Sequence, residues 1–244
     1  MQTLAAIMRQ VMHALLPVEC AGCDVALGDD PIPFFCRRCW EGITPLHGPV
    51  CARCGHPFAS PVALLYSPAH LCGACRLRPP SYTHARSAYP YAPPLREAIT
   101  LFKYKGKVAL ANALGDLMWA AWHDVQDVDL LMPVPLHPAR LREREFNQSL
   151  LLVDRLNRRL RLPVSHHNLV RRRQTPPQTE LTRRQRRQNL RRAFAVLRPD
   201  EVAGKRILLV DDVFTTGTTV NECAKPLRKA GAGDVYVFTL ARTI

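Results

Sequence analysis

The sequence predicts a mainly parallel α/β domain led by a metal-stapled cysteine module, and three observations carry that expectation. Eight of the nine cysteines form four Cys-x-x-Cys pairs, all before residue 80. Beyond that point, short apolar runs of buried-strand type alternate with amphipathic stretches; the runs are Asp129 to Pro133, Arg206 to Val210 and Val235 to Thr239. The second run opens into an acidic pair, a threonine- and glycine-rich loop and a helix-like segment, an order suited to the ligand-binding edge of a parallel sheet.

A chain of 244 residues accommodates one medium domain and a small one, and 47% hydrophobic content excludes wholesale disorder. Pro79, Pro80 and Ser81 make the junction, so the expected division is 1–80 and 81–244. The formal net charge of +14 favours anionic partners, whether phosphorylated metabolites, nucleic acid or acidic membrane, and does not choose among them. No stretch holds the roughly 20 apolar residues that a transmembrane helix needs. In the segment Leu4 to Leu16 the apolar residues recur at helical spacing, Arg9 and His13 interrupt them, and no small-residue cleavage site follows. It reads as an amphipathic helix, docked on the body of the protein or lying on a membrane surface. With no export signal, the expected compartment is the reducing cytoplasm, where paired cysteines point to metal rather than disulfides.

The first quartet is Cys20, Cys23, Cys36 and Cys39, with twelve residues between its halves; the second is Cys51, Cys54, Cys72 and Cys75, with seventeen. Two residues between cysteines let a tight turn aim both thiolates at one ion, and two such turns complete a tetrahedron. Four sulfurs leave no open coordination position, so two structural zinc ions are expected. Redox dithiols, iron–sulfur ligation and an interleaved pairing of the four units remain alternatives at this point. Cys223 falls on the apolar face of a later helix-like stretch and reads as a core residue.

The run Ile207 to Val210 ends at Asp211 and Asp212. Val213 and Phe214 follow, then Thr215, Thr216, Gly217, Thr218 and Thr219, then a stretch with Val220, Cys223, Ala224 and Leu227 on one face. A loop entering a helix N-terminus presents unpaired N–H groups, and the helix dipole favours phosphate there. Threonine hydroxyls add donors, and Gly217 lets the backbone approach closely. Two adjacent carboxylates beside a bare phosphate would repel it. They suit the neighbouring hydroxyls of a ribose, so a ribose carrying a 5-phosphate satisfies both halves of the motif.

Ile207 to Thr219 resembles the 5-phosphoribosyl 1-diphosphate signature of type I phosphoribosyltransferases. The resemblance implies that Asp211 and Asp212 hold the ribose hydroxyls and that Thr215 to Thr219 bind the 5-phosphate. Four Cys-x-x-Cys units, Leu101-Phe102-Lys103-Tyr104-Lys105-Gly106, Val134-Pro135-Leu136-His137, Phe146-Asn147-Gln148 and the final signature together resemble the ComF family, over nearly the whole chain and in order. That family is associated with bacterial DNA uptake and use. Its usual Arg-Gly-Phe-Asn-Gln is interrupted here by Glu145, which would strain the turn if the glycine takes a positive φ.

By the same resemblance, the loop after the strand Asp129 to Pro133 receives the diphosphate. Arg140, Arg142 and Arg144 follow it, either as bidentate contacts to that diphosphate or as an exposed basic helix start. His137 reads as structural. Lys103 meets the diphosphate or an incoming anion, or else is surface charge beside Arg96 and Lys107. Arg171 to Arg192 holds nine arginines against Glu180 alone. The resemblance places a closing hood there, marked by Thr175, Gln178, Leu181, Arg187 and Asn189, with Arg187 among the ligand contacts. A nucleic-acid track and a solvated basic face are the other readings.

The expectation is therefore a type I phosphoribosyltransferase-like domain behind a double zinc ribbon, binding 5-phosphoribosyl 1-diphosphate with magnesium. It either transfers the phosphoribosyl group to an acceptor that the sequence does not specify, or senses the ligand without turnover while engaging single-stranded DNA or a helicase-like partner of DNA uptake.

Overall fold

A computed structural model describes residues 18–122, 127–173 and 190–244. The expected N-terminal helix from Leu4 to Leu16 lies outside the described residues.

Each cysteine quartet is built from two local turns. In the first, Cys20 to Cys23 fold into a tight turn closed by an antiparallel bridge between Glu19 and Ala26, and Cys36 opens the short helix α1 (Arg37–Glu41). In the second, a bridge between Val50 and Pro57 closes the turn that carries Cys51 and Cys54. Helix α2 (Val62–Tyr66) follows, and Cys72 then begins α3 (Gly73–Leu77). The two quartets assemble in chain order, not interleaved, with the sulfurs of each within 4.8 Å of one another.

The α/β part begins with β1 (His84–Pro90), α4 (Leu95–Tyr104), α5 (Leu110–Ala120) and β2 (Leu130–Pro133). Helices α6 (Pro138–Arg144) and α7 (Gln148–Leu160) precede an antiparallel ribbon of β3 (Leu169–Arg171) and β4 (Phe194–Val196). Then come β5 (Ile207–Phe214), α8 (Thr218–Lys229) and β6 (Val235–Arg242). The main sheet runs β1-β6-β5-β2, parallel throughout. Sequence patterning missed β1, whose mixed burial gives neither a clean alternation nor the continuous apolar run of a central strand.

The centre of the sheet explains the run Ile207 to Val210, in which every residue is fully buried because helices cover both faces. Ile207 and Leu209 pack with Val220, Cys223, Ala224 and Leu227 of α8. Leu208 and Val210 face the other way, onto Phe102 of α4, Leu114 of α5 and Leu152 of α7. The period-two alternation of a strand thus divides the core into two clusters. The cysteine turns join both: Cys51, Cys54 and Cys75 belong to the α8 side, while Cys20 and Phe35 belong to the α4, α5 and α7 side. Gly55 marks how close this approach is, since a Cβ there would stand 2.6 Å from the Ala85 carbonyl oxygen of β1. The short cysteine segments therefore share the core of the sheet, which supplies the burial they are too small to generate alone.

Candidate functional site

The site lies where β5 and β2 end. Strand β5 continues through Phe214, three residues beyond the acidic pair's first member, so Asp211 and Asp212 stand inside its last turn of pleat and not after it. Pairing with β6 holds that extension, from Asp211 against Thr239 to Phe214 against Arg242. Adjacent strand residues point to opposite faces, and the two carboxylates accordingly meet different partners.

Asp211 Oδ1 accepts two hydrogen bonds, from Ser149 Oγ at 2.9 Å and from the Asp212 amide at 2.9 Å. Asp212 is paired with Lys103, whose Nζ lies 2.7 Å from Oδ1, with only 18% and 10% of the two side chains exposed. Burial, and then the neighbouring Asp212 charge, push the Asp211 carboxyl up to about 7 against the pull of Lys103 and the two hydrogen bonds. At Lys103 desolvation works against the charge, yet Asp212, its hydrogen bond and Asp211 outweigh it and raise the ammonium above the ordinary lysine value. Lys103 is thus not surface charge beside Arg96 and Lys107. It is the counter-ion of the acidic pair.

The loop that follows is set by Gly217, at φ 71°, where a Cβ would come within 2.5 Å of Phe214 Cζ. Thr216 and Thr218 hydroxyls lie 2.8 Å apart, and Thr218 begins α8 with Gly217 at its N-cap. The Thr218 amide donates to Thr216 Oγ1 at 3.4 Å, so the loop's own hydroxyl lies at this helix end, where the dipole favours an anion.

The other motifs converge here. Val134 leaves β2 with its N–H on the Val210 carbonyl at 2.9 Å. Asn147 braces that exit by donating to the Val134 carbonyl at 3.1 Å, and its Oδ1 caps α7 through the Ser149 amide at 3.0 Å. Phe146 packs on Phe102, next to Lys103, with ring centroids 5.6 Å apart. Gln148 is buried and accepts from Arg144 at 3.2 Å, while the Arg144 guanidinium covers the Tyr104 ring at 4.8 Å. A cavity of about 170 Å³ opens beside Lys103, lined by Tyr104, Gly106, Glu143, Arg144 and Glu145. Arg144 Nε and Gln148 Nε2 are buried without a hydrogen-bond partner. A larger cavity of about 300 Å³ lies at the opposite end of the strands, by Leu130 and Lys205, away from these groups.

Of the remaining expected residues, Arg140 is half-buried and close enough to Arg171 for its charge to act there. Burial depresses the Arg171 pKa first and Arg140 adds to that, while Cys223 and Asp211 oppose it. His137 is structural: Nδ1 accepts the Ala139 amide at 3.2 Å and caps α6. Cys223 is fully buried in the core. Arg187 and the other hood markers, Thr175, Gln178, Leu181 and Asn189, lie outside the described residues. Glu145 takes φ 65° at the end of α6, the left-handed conformation that glycine adopts freely, so the turn is kept despite the substitution. Ser149 and Tyr104 were missed as site residues. The Asn-Gln-Ser sequence at a helix start was the available signal for Ser149.

The two cysteine clusters fit zinc. Four sulfurs about 2.3 Å from one ion stand about 3.8 Å apart, and the contacts Cys23–Cys36 and Cys54–Cys72 are both 3.7 Å. Backbone amides point at the sulfurs as expected for thiolates: Gly22 and Cys36 donate to Cys20 at 3.4 and 3.3 Å, and Cys72 donates to Cys51 at 3.3 Å. Burial works against ionisation of Cys20 and Cys51, but these amide contacts prevail and lower both thiols to about 7.

Comparison with known proteins agrees with both halves of this geometry. The double zinc ribbon domain model matches residues 11–77, and the phosphoribosyl transferase domain model matches residues 147–243. Competence protein F of Haemophilus influenzae is 34% identical over 215 residues, covering 85% of this chain and 90% of its own. The chain belongs to the ComF family. Within that family, the DNA utilization protein YhgH of Escherichia coli is 35% identical over 227 residues, covering 90% of this chain and 94% of the relative. Among solved structures, the glutamine phosphoribosylpyrophosphate amidotransferase of B. subtilis is similar at 22% identity and a TM-score of 0.36, over 53% of this chain and 25% of that one. This ComF-family chain has a type I phosphoribosyltransferase-like parallel sheet joined to an N-terminal double zinc ribbon.

Proposed function

We propose that this ComF-family protein binds 5-phosphoribosyl 1-diphosphate with magnesium and transfers its phosphoribosyl group to an acceptor in DNA uptake or utilisation. The observation that carries the reading is the sequence of groups along one strand end: an acidic pair with its own lysine counter-ion, then a glycine-turned threonine loop that enters a helix N-terminus. Asp211 and Asp212 accept the ribose 2- and 3-hydroxyls. Thr215, Thr216, Gly217, Thr218 and Thr219 hold the 5-phosphate through amides and hydroxyls. The diphosphate lies toward the β2 exit loop, with Lys103 and Arg140 on that side and Arg187 supplied by the basic segment. The buried, unpartnered Arg144 Nε and Gln148 Nε2 support an anionic occupant nearby, since buried donors are normally satisfied.

In the reaction an acceptor nucleophile forms a bond to C1 as the bond from C1 to the diphosphate oxygen breaks, the electron pair leaving with diphosphate. Catalysis is then positioning and stabilisation of the leaving group. Magnesium, carried on the ligand oxygens, supplies charge neutralisation of the diphosphate. With Asp212 on Lys103 and Asp211 on Ser149, the protein contributes orientation of the ribose and no dedicated metal cage.

Titration calorimetry with 5-phosphoribosyl 1-diphosphate and magnesium tests the site. Binding that vanishes in the Asp211→Asn/Asp212→Asn double variant, with the fold retained, supports the assignment. Unchanged affinity in that variant refutes it.

A second reading rests on the names of the relatives and the +14 charge: a ligand-sensing adaptor that engages single-stranded DNA or a helicase-like partner without turnover. Diphosphate release separates the two readings, and a steep loss of DNA affinity with salt marks the second. The cysteine chemistry suits a reducing cytoplasm, and among the described residues no helix is long and apolar enough to cross a membrane.

A further inference from the structure

We propose that Arg242 is a positioning residue for the Thr215 to Thr219 loop, braced on the second cysteine cluster; the inference rests on the reading of that loop as the 5-phosphate site. Arg242 ends β6, is 3% exposed and donates from Nη1 to the Cys54 carbonyl oxygen at 2.8 Å. That carbonyl belongs to a metal knuckle, so its place is set by the metal and not by the sheet alone. The same guanidinium lies over the Phe214 ring, 5.0 Å from its centroid, and Phe214 is its cross-strand partner on β5. Tyr82 meets the Phe214 ring edge-on, with ring centroids 6.4 Å apart.

Phe214 in turn determines the loop. Its ring fills the space beneath Gly217, close enough that a Cβ there would stand 2.5 Å from Cζ. The residue after Arg242 completes the link: the Thr243 amide donates to the Phe214 carbonyl at 3.1 Å, and its hydroxyl donates to the Thr215 carbonyl at 3.2 Å. A contiguous path therefore runs from Cys54 through Arg242 and Phe214 to Gly217, with Thr243 bracing the loop's first residue. A buried guanidinium needs compensation, and four thiolates around one zinc, formally about −2 in total, supply it. The zinc ribbon is thereby more than a staple at the N-terminus. Its second half holds the floor of the phosphate loop.

The test uses full-length, zinc-replete protein and hydrogen exchange of loop amides without ligand, alongside calorimetry with 5-phosphoribosyl 1-diphosphate and magnesium. Arg242→Met is expected to keep two zinc ions and native protection in β5 and β6, while amides 215–219 exchange about tenfold faster and affinity falls about tenfold. Arg242→Lys, which keeps a cation and a donor, recovers part of both. Arg206→Met, at the opposite end of β5, changes neither. Should Arg242→Met fail to fold, Phe214→Leu and Arg242→Lys make the same comparison. Wild-type loop exchange and wild-type affinity in the folded Arg242 or Phe214 variants overturn the proposal. If wild type binds no phosphoribosyl ligand while loop exchange still responds to Arg242, the phosphate reading fails and the positioning role stands.

Discussion

The Lys103 ammonium, on a helix that precedes the acidic pair by more than 100 residues, lies 2.7 Å from Asp212 Oδ1. It is what allows two adjacent carboxylates to be buried at the end of a sheet. Without it, burial and mutual repulsion both favour protonation.

Replacing Lys103 by methionine removes that compensation. The expected cost at pH 8 is about 1–3 kcal/mol, below the figure for a fully buried pair because both side chains keep some solvent contact. Acidification to pH 5 protonates Asp211, removes one of the two neighbouring negative charges and shrinks the loss. Urea unfolding at the two pH values measures it, and an equal loss at both contradicts the counter-ion role.

Asp211 carries a pH-linked penalty of its own. Burial and Asp212 hold its folded pKa near 7, above the ordinary carboxylate value, so the native state keeps a proton that the unfolded chain releases. Stability from this group is therefore full below about pH 4 and declines until about pH 7. Asp211→Asn, which does not ionise, is expected to be the more stable protein at pH 7.5, with the difference closing at pH 4. Thermal unfolding across that range decides it; a difference that does not change with pH sinks the assignment.

Glu145 occupies a left-handed helix terminus at φ 65°. Glu145→Gly relieves that strain and is expected to stabilise the protein by about 1 kcal/mol. A lower denaturation midpoint in the variant would show that the glutamate makes a compensating contact.

Elemental analysis of purified protein is expected to find two zinc ions per chain, one for each cysteine quartet. Chelation should destabilise the sheet domain as well as the ribbons, because Cys51, Cys54 and Cys75 share its core with Leu209 and Val237. Iron in place of zinc refutes the assignment, and a sheet whose melting ignores chelation refutes the shared core.

Much of the site was legible because its signals are local. A strand, an acidic pair and a threonine loop are consecutive, and each Cys-x-x-Cys turn is its own chelating unit. The length of β5 was not legible: the charged pair interrupts the apolar run, and only pairing with Thr239 to Arg242 on β6 extends the strand through it. Lys103 was singled out without its partner Asp212, since neither its helix nor the loop names the carboxylate it meets.

By itself, the sequence determined the metal turns, the buried central strand, the helix start after Gly217 and the excess of positive charge, all of which depend on residues near one another in the chain. The tertiary structure alone decided which distant groups share a site: Lys103 with Asp212, Ser149 with Asp211, and Arg242 with both Cys54 and Phe214. Those meetings depend on the strand order β1-β6-β5-β2 and on which face each helix covers. That order is set by the packing of the whole core, and no single segment encodes it.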